Sequence, residues 1–168
     1  VQLSPSLIFH WTLKEDATTP VLDGVLEYDG EGWLGFGVSP TGEMIGSTAL
    51  IGLPGTGEEP RVHTLMEKDV EGVVQGEPLV QPEKAVITQA GGKTIMRFVK
   101  VLQDDASEGG FTENGLNTFI FAVGESNELA YHKHRGSFRI NLSSCEEGTT
   151  TSSTGSSTQM TKQGSFAA

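Results

Sequence analysis

Two side-chain types that can bind iron are scarce in this 168-residue chain, which contains four methionines and four histidines. They are Met44, Met66, Met96, Met160, His10, His63, His132 and His134. A thioether and an imidazole together can form the axial ligand pair of haem iron, and imidazole also binds zinc. The single cysteine, Cys145, excludes an internal disulfide. The positions of the methionines and histidines therefore decide which metal chemistry the chain can support.

Met44 is the methionine whose sequence surroundings differ from those of the others. It lies in residues 39–47, a segment with glycine and proline between two apolar segments. A thioether on such a loop can lie over the mouth of a pocket, where its soft sulfur can bind haem iron. Filling a gap in the core is the alternative role, because methionine packs well in irregular spaces. Met66 and Met96 lie in strand-like segments, where packing is the expected role.

His132 and His134 immediately precede the last predicted strand. If that strand extended back through them, both imidazoles would lie on the same face as the core residue Phe138. A single histidine on a core face usually finds a hydrogen-bond partner for its ring nitrogens, but partners for two neighbouring imidazoles are harder to provide. A metal ion is a natural partner for one of them. The spacing could also suit zinc, although His10 or His63 would have to supply a further ligand.

Charge and motif content exclude several classes of function. The formal net charge of −11 argues against binding of nucleic acid or anionic lipid, and it suits a partner with a basic face. No apolar run is long enough for a membrane helix, so we expect no direct membrane insertion. The sequence has no complete phosphate-binding Gly-x-x-x-x-Gly-Lys-Ser/Thr loop, because the Gly-Lys-Thr at 92–94 lacks the first glycine of that motif. It has no Gly-x-Ser-x-Gly motif, and the Gly-Phe-Gly at 35–37 lacks the third glycine of a dinucleotide fingerprint. We therefore expect a domain that is not itself an enzyme.

Short apolar segments separated by turn residues predict an all-β fold. The predicted strands are 7–13, 21–28, 33–38, 48–52, 61–67, 85–89, 94–101, 117–123 and 137–142. Strands spaced by about ten residues are typical of an immunoglobulin-like β-sandwich of two antiparallel sheets. Residues 1–142 form the predicted domain. Half of residues 143–168 are serine or threonine, which predicts a linker or disordered tail of the kind found outside cells.

Four short motifs resemble the cytochrome branch of the DOMON family. They are Gly-Trp-Leu-Gly-Phe-Gly-Val-Ser at 32–39, Gly-Glu-Met-Ile-Gly-Ser at 42–47, Phe-Ala-Val-Gly at 121–124 and His-Lys-His-Arg-Gly at 132–136. The resemblance extends over about residues 5–142, and the Met-x-Gly-Ser loop is its most specific element. The branch includes the haem domain of cellobiose dehydrogenase and the extracellular domains joined to cytochrome b561 membrane cores.

The resemblance implies one haem b with Met44 and His132 as its axial ligands. The family spacing His-x-x-Arg-Gly falls on His132, and His134 is the alternative. Six-coordinate iron with these ligands has no open position for a substrate, so the implied role is electron transfer. No Cys-x-x-Cys-His attachment motif occurs, so the haem would be b-type. The side chains expected to contact it are Trp33, Phe36, Ile45 and Phe121.

The resemblance also implies a larger redox protein in which this domain is extracellular or exposed at the cell surface. The expected partner is a cytochrome b561-type membrane core, with a flavin dehydrogenase as the alternative, and the Ser/Thr-rich tail would be the tether. Some DOMON domains lack the ligands and are thought to bind sugars. A haem-free module that binds carbohydrate or another small ligand is therefore the second hypothesis.

Overall fold

The structure is a computed structural model that describes residues 1–16, 19–75, 84–102, 115–142 and 150–152. These residues form twelve strands and no helix, and hence no helix that could span a membrane. The strands are β1 (Gln2–Ser4), β2 (Leu7–Asp16), β3 (Thr19–Tyr28), β4 (Leu34–Val38), β5 (Ser47–Gly52), β6 (Arg61–Leu65), β7 (Val73–Gln75), β8 (Lys84–Ala90), β9 (Lys93–Val101), β10 (Leu116–Gly124), β11 (His132–Asn141) and β12 (Thr150–Ser152).

The strands form two antiparallel sheets that pack face to face. One sheet has five strands in the order β1-β2-β3-β9-β8, and the other has seven in the order β12-β11-β10-β4-β5-β6-β7. In the seven-stranded sheet β4 lies between β10 and β5, so segments far apart in sequence meet at its centre. The predicted all-β sandwich of two antiparallel sheets is confirmed.

Phenylalanine dominates the core between the two sheets. Phe9 of β2 is fully buried, and its ring centroid lies 4.6 Å from that of Phe36 and 6.0 Å from that of Phe138. Phe98 of β9 and Phe119 of β10 pack against the same group. Burial of one such ring stabilises the fold by about 1.5–3 kcal/mol, so this cluster fixes the sheets against each other.

The outer face of the seven-stranded sheet, which points away from the five-stranded sheet, carries a second apolar cluster. It consists of Trp33, Ala49, Ile51 and Leu65, with Met44, Leu53, Val73, Ile120, Ala122 and Leu129 packed against it. The central strands present small residues to this face, since Gly35 pairs with Ala122 and Gly37 pairs with Ala49. Small side chains leave room above the sheet, and a concave site forms there.

Three short strands were not expected, and among the long strands the start of the last one differs most from the expectation. The short strands β1, β7 and β12 have too few apolar residues to be seen in the sequence, and β12 lies within the segment interpreted as a tail. The last long strand begins at His132 and not at residue 137, because pairing with β10 continues to Gly124. The remainder of the tail, with Cys145 and Met160, lies outside the described residues.

Candidate functional site

A cavity of about 790 Å³ opens on the outer face of the seven-stranded sheet. Its volume lies within the range of sites that bind organic cofactors. The lining is apolar over the sheet, where it includes Trp33, Met44, Ala49, Ile51, Leu65, Val73, Ile120, Ala122 and Leu129. Polar groups border the same cavity, among them Thr41, Glu43, Lys68, Asp69, Tyr131, His132, Arg135 and Ser137. Such a site suits a large apolar ligand with a polar edge.

Met44 enters the cavity on a loop that two buried serines hold in place. Ser39 Oγ donates a hydrogen bond of 2.7 Å to the Glu43 carbonyl, and Ser47 Oγ donates one of 2.5 Å to the same oxygen. Ser39 Oγ also accepts a 2.8 Å bond from the Gly42 amide. The carbonyl that precedes Met44 is therefore fixed from both ends of the loop, and this holds the backbone at Met44 in place.

The strand that carries His132 contains a β-bulge. Val123 pairs with His134, and the next residue, Gly124, pairs with His132, so Lys133 is an extra residue in β11. One extra residue reverses the alternation of side chains along a strand. The two histidines therefore lie on opposite faces of the sheet, although only one residue separates them.

Their pairing partners identify the two faces. Val123 belongs to the core between the sheets, so His134 is directed to that side. Gly124 is turned to the outer face, and His132 shares that face and lines the cavity. His134 is not among the lining residues. The expectation that both imidazoles share the face of the core residues is wrong, and the bulge is the reason.

The surroundings of His132 favour its neutral form. Burial lowers the pKa of the imidazole, the nearby Arg135 charge lowers it further, and a hydrogen bond to the backbone opposes them. Nη1 of Arg135 lies 3.4 Å from Nε2 of His132. The exposed ring of Tyr131 packs on the imidazole at a centroid distance of 4.3 Å. A neutral imidazole has a nitrogen lone pair that a metal ion can take.

Trp33 forms part of the cavity wall and is only 4% exposed. Its indole lies over Gly35 and Gly124, where a Cβ on either glycine would meet the ring. The Trp33 backbone donates to the Ser126 carbonyl and accepts from the Gly124 amide. Among the described residues the indole Nε1 has no hydrogen-bond acceptor, so packing alone holds the ring.

The other residues expected to contact a cofactor have different positions. Phe36 and Phe121 border the cavity, but both belong to the intersheet core, where their rings pack on other phenylalanines. Ile45 is 48% exposed and does not line the cavity. Strand alternation explains the phenylalanines, because in β4 and β10 the outer positions belong to smaller residues such as Ala122.

Lys68 and Arg135 are lining residues that sequence reasoning did not select for the site. In the part of the chain that the structure describes, neither forms a salt bridge. Glu43 and Asp69 line the same cavity, so its charged border is mixed, and Arg135 also contacts the His132 imidazole. Lys68 and Arg135 are the lining groups that could pair with negative groups at the edge of a ligand. The Arg-Gly sequence after the histidines was a signal for Arg135, and nothing in the sequence marked Lys68.

The donor set, the volume and the lining of the cavity fit a haem. Met44 supplies a thioether and His132 an imidazole, the walls are apolar, and Lys68 and Arg135 can pair with the two carboxylates of the porphyrin. A zinc site is less well supported, because the described residues include no group of three or more histidine, cysteine, aspartate or glutamate side chains suited to a metal ion.

Comparison with known proteins agrees with this architecture. A crystal structure of the cytochrome b domain of pyranose dehydrogenase from Coprinopsis cinerea aligns with a TM-score of 0.55 and 15% sequence identity, over 82% of this chain and 77% of that chain. The two chains share a fold. No protein-family model matches the sequence. The resemblance to a cytochrome domain inferred from the four motifs is therefore confirmed at the level of the fold.

Proposed function

We propose that this chain is an electron-transfer domain that holds one haem b between Met44 and His132. The observation that carries the proposal is that these two residues, from a loop and a strand far apart in sequence, line the same cavity. Buried serines fix the loop, and a bulge directs His132 to the cavity. The shared fold with a domain named as a cytochrome supports the assignment.

Bound haem would supply one-electron redox chemistry, and ligation by both residues would leave the iron no open position for a substrate. The chain's own groups would hold the porphyrin and set its surroundings. The apolar outer face would exclude water, and Lys68 and Arg135 would neutralise the carboxylates. Met44 would raise the reduction potential through its thioether. On this proposal the domain transfers electrons and does not transform a substrate.

We also propose that the domain acts outside the cell as part of a larger redox protein. The neighbour in structure is itself a domain of a dehydrogenase, and the Ser/Thr-rich segment suits a tether. A flavin dehydrogenase or a cytochrome b561-type membrane core would be the electron partner. The net charge of −11 suits a partner with a basic face.

Titration of the purified chain with hemin tests the proposal, with visible spectra of the oxidised and the dithionite-reduced protein. We expect one haem per chain and the sharp reduced α and β bands of a low-spin cytochrome. Met44→Ala and His132→Ala should each abolish those bands, because either change leaves the iron with one axial ligand.

Each ligand variant has a matched control in the same chain. His134→Ala removes the histidine on the opposite face, and Met66→Ala removes a methionine that is 57% exposed and does not line the cavity. Both controls should keep the wild-type spectrum. Intact bands in His132→Ala but not in His134→Ala would contradict the assignment of the ligand. If the wild-type chain takes up no hemin, the proposal fails, and glycan-binding assays would then test the haem-free alternative.

A further inference from the structure

A reciprocal pair of side-chain amides connects the two sheets at the end of the sandwich near the cavity. Nε2 of Gln89 donates to Oδ1 of Asn127 at 3.0 Å, and Nδ2 of Asn127 donates back to Oε1 of Gln89 at 2.9 Å. Gln89 belongs to β8, the edge strand of the five-stranded sheet, and Asn127 lies in the loop between β10 and β11. Both side chains are half-buried. The pair therefore attaches this loop to the opposite sheet.

The pair belongs to a larger hydrogen-bond network. Nε2 of Gln89 also donates to Oγ1 of Thr94 at 3.0 Å, and that fully buried hydroxyl donates to the Gly30 carbonyl at 2.9 Å. Both amide protons of Gln89 are thus used, and its oxygen accepts a hydrogen bond from Nδ2 of Asn127. Every polar atom of the Gln89 amide has a partner, which makes its orientation well defined.

The loop that the network holds, residues 125–131, leads directly into His132. Its backbone is bonded to Trp33 through the Ser126 carbonyl, and Leu129 packs on the outer-face cluster. Among the hydrogen bonds of the described residues, the amide pair links this loop to the five-stranded sheet through side chains. Its loss would leave the loop attached through its contacts within the seven-stranded sheet.

We propose that Gln89 and Asn127 are positioning residues for His132, an inference that rests on the proposed function. They contact no ligand themselves, because neither lines the cavity. They hold the loop so that the imidazole stands over the cavity before a ligand arrives. Groups that hydrogen-bond a metal ligand directly change affinity by about 10–100-fold when they are removed, and for a pair that acts through the loop we expect an effect at the lower end of that range.

The experiment compares Gln89→Ala, Asn127→Ala and the double variant with Thr88→Ala, a control at an exposed position of the same strand. At saturating hemin we expect both single variants to lose part of the low-spin spectrum and to release hemin about tenfold faster than wild type. The double variant should behave like either single one, because the two side chains form one link. Thr88→Ala should match wild type.

Amide hydrogen exchange on the haem-free chain provides a readout that does not depend on haem. We expect faster exchange in residues 125–132 of the variants, with unchanged exchange in β10. A wild-type spectrum and release rate in both single variants would overturn the proposal, as would losses that add in the double variant. If wild type takes up no hemin, the proposed function fails, and the exchange pattern alone decides whether the pair holds the loop.

Discussion

Replacement of the two serines that hold the Met44 loop should have unequal effects on stability. Ser39 Oγ donates to the Glu43 carbonyl and accepts from two backbone amides, at 2.8 Å from Gly42 and 3.4 Å from Thr41. Ser47 Oγ makes one bond, to the same carbonyl. Both side chains are at most 2% exposed, so water cannot replace the lost bonds. Ser39→Ala should therefore cost more than Ser47→Ala.

The magnitude follows from counting these bonds. A hydrogen bond contributes about 0.5–1.5 kcal/mol net, and a buried group left without a partner costs about 1–3 kcal/mol. Ser47→Ala removes one bond and leaves the Glu43 carbonyl with its second donor, so we expect a loss of about 1 kcal/mol. Ser39→Ala removes two good bonds and leaves the Gly42 amide unpaired, so we expect about 2–3 kcal/mol. The double variant should exceed the sum, because only then does the carbonyl lose both donors.

Urea denaturation of the haem-free chain measures these losses. The comparison requires that the slope of the unfolding free energy against urea concentration is the same in all variants. Hemin titration then tests the consequence for the site, since a less fixed loop should bind hemin more weakly in the same order. Equal losses from the two single variants would refute the reasoning. So would strict additivity in the double variant, because the shared carbonyl is the basis of the expected coupling.

Three further outcomes follow from the packing and from the titration of buried groups. Phe9→Ala removes a fully buried ring and should lower the free energy of unfolding by about 3–5 kcal/mol in urea denaturation, and a loss below about 1 kcal/mol would contradict the packing. Gly124→Ala places a Cβ against the Trp33 indole and should weaken hemin binding. Gly57→Ala, which has open space at its Cβ and lies away from the cavity lining, should cost about 1–2 kcal/mol of stability through backbone strain and leave hemin affinity unchanged, and equal hemin affinities of the two variants would contradict this. Burial lowers the pKa of His63 and His132 below 6.5, the ordinary value for histidine. As the pH falls through about 6.5 the unfolded chain therefore binds protons more readily than the folded chain does, and the haem-free protein should lose stability there and at lower pH. Urea midpoints at several pH values measure this, and His63→Gln should reduce the slope.

Most of the long strands could be predicted because their apolar residues alternate or cluster over five or more positions. β5 and β9 differ from the prediction by a single residue at their first position, and β6 ends two residues early. The three-residue strands could not be predicted, because a segment such as Gln2–Ser4 pairs only where a longer strand offers its edge. Their existence depends on the tertiary structure and not on their own composition.

The candidate site could be predicted only in part. Met44 and His132 were selected from scarce residue types and from a motif, and both line one cavity. The phenylalanines at 36 and 121 were selected as apolar side chains available for a haem pocket, but strand alternation directs them into the core. Lys68 could not be found, because it lies between β6 and β7, and the pairing of those strands brings it to the cavity.

The choice between His132 and His134 shows most clearly what local sequence cannot specify. Spacing of i, i+2 places two residues on one face only while a strand pairs without interruption. One extra residue, Lys133, changes the face, and whether a bulge forms depends on the partner strand. Here the Trp33 indole packs directly on Gly124 of β10 and leaves no room for a side chain at that position. After Gly124 the chain continues into the loop that the amide pair attaches to β8. The bulge thus accompanies the packing of Trp33 and the attachment of that loop, and the fold, more than the histidine motif itself, places His132 and not His134 at the cavity.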